Sequence, residues 1–202
     1  MLVALFALFS PVASAEGPVA VTEYKSEESE AILWDFIQSY TEDEYITAGI
    51  MGYFWRESFF RSDAVAGWPT ILAVLREDHC QSFTVKIDEG LKDGTTKDEF
   101  IRRSRYQYGG YGLGQWSSEG FLEDYYDFAS EWGTTIADAE MQCAFVVQSL
   151  RGFERIWEQL EAVQDPESAG RIIGLQYDGS ESGYLYMGQM ASIFYGKYAV
   201  EG

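Results

Sequence analysis

Basic residues are scarce in this chain: 14 Lys and Arg stand against 33 Asp and Glu, for a net charge of −19. The acids are spread along the sequence and do not form a tail. Such a surface repels polyanions, which argues against nucleic acid or an anionic membrane as partner by bulk electrostatics. One histidine, His79, and two cysteines, Cys80 and Cys143, recur at no ligand spacing, so there is no zinc signature. The acids Asp88, Glu89, Asp93, Asp98 and Glu99 miss the calcium-loop register, because the twelfth position counted through Gly94 falls on Phe100. No cofactor or metal is therefore expected. Internal repeats, coiled-coil heptads and low-complexity stretches are also missing.

What remains is a chain of 202 residues, 47% apolar and 16% aromatic, enough for one domain with a substantial core. Residues 1–15 (MLVALFALFSPVASA) are an apolar run closing on Ala13-Ser14-Ala15, which reads as a secretory signal despite lacking a basic start. The run is too short to span a bilayer, so no stable membrane insertion is expected. Export predicts a secreted or extracellular protein beginning near Glu16. It permits a Cys80–Cys143 disulfide, while a buried thiol at Cys143 fits the apolar stripe of Ile136, Ala139 and Leu150 equally well.

Residues 16–42 read as an exposed lead-in and a first helix from about Ser26 to Tyr40. Thr41 followed by Glu44 has the capping-box pattern for a second helix. Gly49 and Gly52 inside that helix weaken it, and leave room for another backbone or a ligand to approach. Residues 66–78 predict a third helix. Thr84-Val85-Lys86-Ile87 suits strand or helix, Lys92–Thr95 is a turn, and Thr96 with Glu99 marks a short helix toward Arg103. Further helical stripes follow: Phe121, Tyr125, Phe128 and Trp132; Ile136 to Leu150; Phe153, Trp157 and Leu160; residues 167–176; and Met187, Met190 or Ala191, Phe194 and Tyr198.

The second helix carries the residue of most chemical interest. Glu57 continues the apolar stripe of Ile46, Ile50 and Tyr53, which sets a carboxyl on a face expected to be buried. Apolar neighbours and the negative end of a helix dipole both favour the protonated form, as a general acid requires. The alternative is an ion pair with Arg61, Arg102, Arg103 or Arg105. Further on, Tyr106–Trp116 (YQYGGYGLGQW) forms a loop rich in glycine and aromatics.

Glu57-Ser58 at a helix end, followed by Gly112-Leu113-Gly114-Gln115-Trp116, resembles the lysozyme-like superfamily of goose-type lysozymes and lytic transglycosylases. Those proteins pair a helix-terminal ES with a GLMQ-type loop. The longer pattern is similar to the phage tail lysozyme family. It comprises Ala48-Gly49-Ile50-Met51-Gly52 before Glu57-Ser58, Val85–Gly90, Gly110–Trp116 and Phe194–Ala199, over roughly residues 43–200. The resemblance implies a single lysozyme-like domain across 43–200, of α+β class with helices dominating. It implies cleavage of the β-1,4 bond between N-acetylmuramic acid and N-acetylglucosamine in peptidoglycan glycan strands; the chain is expected to be a monomer, either exported or carried on a phage particle.

Glu57 would then be the acid, with Asp88, or next Asp63, as a second carboxylate where one is used. Ser58, Tyr111, Gln115 and Trp116 would bind substrate, the aromatic rings by stacking on sugars and the amide by hydrogen bonding. A transglycosylase and a non-catalytic glycan-binding module are the alternatives. One departure stands out: Ser117–Asp124 is acidic where the family commonly carries basic residues, so salt or divalent cations are expected to affect activity.

Overall fold

Nine helices follow one another in the described residues, 27–65 and 77–200, of this computed structural model. They are α1 (Glu27–Thr41), α2 (Glu44–Ser58), α3 (Glu77–Asp88), α4 (Lys97–Arg102), α5 (Glu119–Trp132), α6 (Ala139–Gly152), α7 (Glu154–Glu161), α8 (Pro166–Ile172) and α9 (Tyr184–Tyr195). Three of them run on into a π-helical turn: α4 at Arg103–Tyr108, α8 at Ile173–Tyr177 and α9 at Gly196–Val200. The signal-like segment 1–15 and most of the expected helix at 66–78 lie outside the described residues.

The described chain gathers into two compact units. One comprises residues 27–56 and 143–200, the other residues 57–65 and 77–142. In the first unit, helix meets helix through small residues. A Cβ on Gly49 would stand 3.0 Å from Ala169 of α8, and one on Gly52 only 2.3 Å from the carbonyl oxygen of Met187 in α9. The two glycines thus bring the α2 backbone against two other helices. Leu33, Ile37, Ile46, Ile50 and Tyr53 fill the core beside them. The Lys197 ammonium donates to Glu30 at 2.7 Å, and Trp34 stacks on Tyr198 at 5.4 Å, which fixes the last turn against α1.

The second unit is built on an aromatic core. Phe83, Phe100, Tyr111 and Tyr125 pack with ring centroids 5.3–6.2 Å apart, and Trp116 lies 5.1 Å from Tyr125. The Tyr126 hydroxyl donates to the Gly90 carbonyl at 2.9 Å, tying α5 to the loop that follows α3.

Several expectations change in detail. The ambiguous 84–87 stretch is helical, as part of α3. Helix α2 is capped by Asp43, whose carboxylate accepts from Tyr45 and Ile46 N–H at 2.9 Å each. Thr41 still belongs to α1, and Glu42, at φ 55°, reverses the chain before the cap. The Thr96 hydroxyl caps nothing and instead donates to the Ile87 carbonyl at 2.6 Å. The β share of the α+β expectation amounts, among the described residues, to isolated bridges Val65–Tyr111 and Tyr111–Trp116. Buried aromatic side chains hold this region, so it needs no extended ladder. Cys80 and Cys143 are both buried thiols and are not joined in a disulfide.

Candidate active site

Glu57 and Ser58 form the last turn of α2. The stripe beneath Glu57 is buried as expected, with Ile46, Ile50 and Tyr53 each at most 2% exposed. Glu57 itself is half-buried, and Ser58 is buried. The helix ends abruptly because Phe59 and Phe60 both take the left-handed conformation, at φ 51° and 70°. That conformation costs a non-glycine residue roughly 1 kcal/mol or more. Of four such residues in the described chain, two follow directly on Glu57-Ser58 and a third is Gln115, at φ 46°. The strain is thus concentrated at the two motifs.

The chain leaving α2 is tied directly to the glycine-rich loop. The Ala64 carbonyl accepts from Gly112 N–H at 2.8 Å and from Gln115 Nε2 at 3.1 Å. Tyr111 and Trp116 exchange backbone hydrogen bonds, both 3.2 Å, which closes a tight turn over residues 112–115. Gly112 sits at φ 76°, and a Cβ there would lie 2.6 Å from the Gln142 amide oxygen, so both backbone angle and space demand glycine.

Gln115 Nε2 also donates to the Gly112 carbonyl at 2.7 Å. With its NH2 engaged by two carbonyls, the amide is oriented, and Oε1 is a buried acceptor with no partner among the described residues. A buried acceptor without a donor is costly, so a ligand N–H or O–H that reaches it gains a full hydrogen bond.

Other expected residues fall into supporting positions. Tyr111 is 0% exposed; its hydroxyl bonds Thr84 Oγ1 at 2.7 Å, and burial pushes its pKa well up. It therefore offers no face to a sugar. Trp116, 5% exposed, is likewise packed against Tyr125. Both rings hold the loop from beneath.

The carboxylate of Asp88 accepts from Ile136 N–H at 2.7 Å and from the Thr135 hydroxyl. Burial raises its pKa, and these two hydrogen bonds pull it back down. Asp63 is buried in a forked ion pair with Arg61, at 3.0 and 3.1 Å from Nη2. Arg103 is directed to Glu99, and Arg105 to Glu119.

Periodicity and motifs pass over Gln142. Its side chain is fully buried in the first turn of α6. The amide accepts from Leu113 N–H at 2.7 Å and donates to the carbonyls of Ser62 (2.7 Å) and Ile136 (3.2 Å). The available signal is a lone amide in the otherwise apolar run Met141–Val147. Among the described residues, no group of His, Cys, Asp and Glu is placed to hold a metal, and no helix is long and apolar enough to cross a membrane.

A family model described as phage tail lysozyme matches residues 28–198. No curated protein and no solved structure matches the chain. The family match points to lysozyme-type cleavage of peptidoglycan, and to phage-associated or extracellular action.

Proposed function

We propose, on the premise that this chain belongs to the phage tail lysozyme family, that it is a muramidase with Glu57 as general acid. The bond cleaved is the β-1,4 linkage between N-acetylmuramic acid and N-acetylglucosamine. One observation carries the reading. The exit of the Glu57 helix is hydrogen-bonded through Ala64 to the loop whose Gln115 holds an oriented, buried acceptor with no partner among the described residues. Protonated Glu57 donates to the glycosidic oxygen as the bond breaks, through an oxocarbenium-like transition state. Gln115 Oε1 is buried, so it accepts from the acetamido N–H of a bound sugar once the loop shifts to expose it, and Ser58 lines the site beside the acid.

Glu57 works as the single acid in this reading. Asp88 and Asp63, the candidates for a second carboxylate, are each drawn into structural partners, Asp88 by Thr135 and Ile136 and Asp63 by Arg61. A base that activates water needs a lone pair facing the substrate, and these contacts compete for it.

The test is muropeptide release from purified peptidoglycan by the protein and by Glu57→Gln. The variant is expected to lose about 10²–10⁴-fold, the usual contribution of general acid catalysis. The acid must hold its proton, so activity is present below the Glu57 pKa and lost as pH rises through it. A rate that climbs steadily from about pH 5 to about pH 9 contradicts the assignment. Product mass separates hydrolysis from transglycosylation, since a 1,6-anhydro product lacks the added water. Glycan binding that survives Glu57→Gln, with no release by either protein, supports a binding module instead.

A further inference from the structure

We infer that Gln142 is a positioning residue for glycan cleavage, a buried amide that sets the Gln115 loop at a fixed register to the segment leaving the Glu57 helix. The inference rests on the muramidase reading above. Three segments distant in sequence meet at this one side chain. Its Oε1 takes Leu113 N–H at 2.7 Å, inside the Gly112–Gln115 turn. Its Nε2 gives one hydrogen to Ser62, four residues beyond Ser58, and the other to Ile136. Both N–H donors and the carbonyl oxygen are engaged, so the amide is locked in one orientation.

The third segment is itself rigid. Ile136 donates its N–H to Asp88 at 2.7 Å, and its carbonyl also accepts from the Tyr125 hydroxyl. Asp138 caps α6 by accepting from Met141 N–H at 2.8 Å, which fixes the turn on which Gln142 stands. Gln142 is thus mounted on a firm base and reaches toward two strained segments, Phe59–Phe60 and Gln115. Gly112 leaves the space its amide oxygen fills. A fully satisfied buried network specifies one arrangement, and removing its central member frees all three segments at once.

Gln142→Met keeps the volume and removes every hydrogen bond. Gln142→Glu is the companion variant, which keeps the acceptor for Leu113 and loses the donors to Ser62 and Ile136. On soluble peptidoglycan fragments, Gln142→Met is expected to lower kcat about 10²-fold with KM nearly unchanged, the effect of misplacing a catalytic group by about an ångström.

Gln142 acts through the loop, so its penalty and that of Gln115→Ala should not multiply: the double variant should be little slower than the worse single one. Leu113 N–H should exchange with solvent about 10²-fold faster in Gln142→Met, while Val146 N–H on the same helix is unchanged. A wild-type kcat in a folded Gln142→Met, fully multiplying penalties, or unchanged Leu113 exchange each overturns the proposal. If Gln142→Met does not fold, kcat and the double variant with Gln115→Ala decide it on Gln142→Glu, in which Leu113 N–H keeps its acceptor and its exchange should stay near that of the wild type. A wild-type chain that releases nothing refutes the muramidase reading instead, and Leu113 exchange then decides the clamp by itself.

Discussion

The two compact units differ in what binds their distant segments most closely. In the unit of residues 27–56 and 143–200, helices pack by shape, through Gly49 and Gly52 against Ala169 and Met187. In the unit of residues 57–65 and 77–142, polar side chains reach across long stretches of sequence: Gln142 to Ser62, Asp88 to Ile136, Gln115 to Ala64. Shape packing tolerates change wherever space exists. A buried polar network tolerates little, because each lost partner leaves another group unsatisfied. The proposed chemistry depends on the second kind of construction, and three of the four strained non-glycine residues of the described chain lie there.

The largest expected effect tests the polar unit. Asp63→Ala leaves Arg61, 6% exposed, as a buried guanidinium without its carboxylate. Breaking a buried pair in this way costs about 3–5 kcal/mol. In a chain of this size that is roughly a 10 °C fall in Tm. Thermal unfolding measures it, and hydrogen exchange should show lost protection concentrated in residues 57–65 and 77–142. A loss below about 1 kcal/mol would mean that the pair behaves like a surface salt bridge and that the contrast between the units is overstated.

Shape packing is tested next. A methyl at Gly52 meets a backbone oxygen at 2.3 Å, which must force α2 and α9 apart. Overpacking costs about 1–3 kcal/mol, against about 1 kcal/mol regained in helix propensity, so Gly52→Ala should be destabilising on balance. Gly120, in the first turn of α5, has nothing within 4 Å of where an added methyl would stand, so Gly120→Ala is the control and should be neutral or slightly stabilising. Equal Tm values for the two variants would sink the close-approach argument.

The same division explains which features are legible in the sequence. The stripe Ile46, Ile50, Tyr53 and the glycines at 49 and 52 predict a weakened, closely approached helix, and α2 is that helix. Periodicity is a local property, so it survives in the bare sequence. The order of Glu57-Ser58 and the Gly112–Gln115 loop points to the family that the chain belongs to. What stays hidden is the wiring. Nothing local says that Gln142 meets Ser62, 80 positions away, or that Asp88 is turned toward Thr135. Tyr111 and Trp116 are hard to read for a related reason, because aromatic content marks a sugar platform and a buried core alike, and the burial of these two rings is not written in the local sequence.

The smallest effect concerns Asp88 and has a sign that can be worked out. Burial raises its pKa in the folded state despite hydrogen bonds from Ile136 and Thr135. A carboxyl with a raised folded pKa binds its proton more tightly folded than unfolded, so its contribution to stability is most favourable below the unfolded pKa. That contribution is lost as pH rises through the folded pKa. Asn does not titrate, yet its carbonyl still accepts from Ile136 N–H. Asp88→Asn should therefore change Tm little at neutral pH, and the wild-type protein should gain on the variant as pH falls. Thermal unfolding at several pH values checks this. A difference that moves the opposite way would mean that the hydrogen bonds from Thr135 and Ile136 outweigh burial. Asp88 would then be a charged anchor at neutral pH, stabilising the Thr135–Ile136 turn on which the Gln142 network stands.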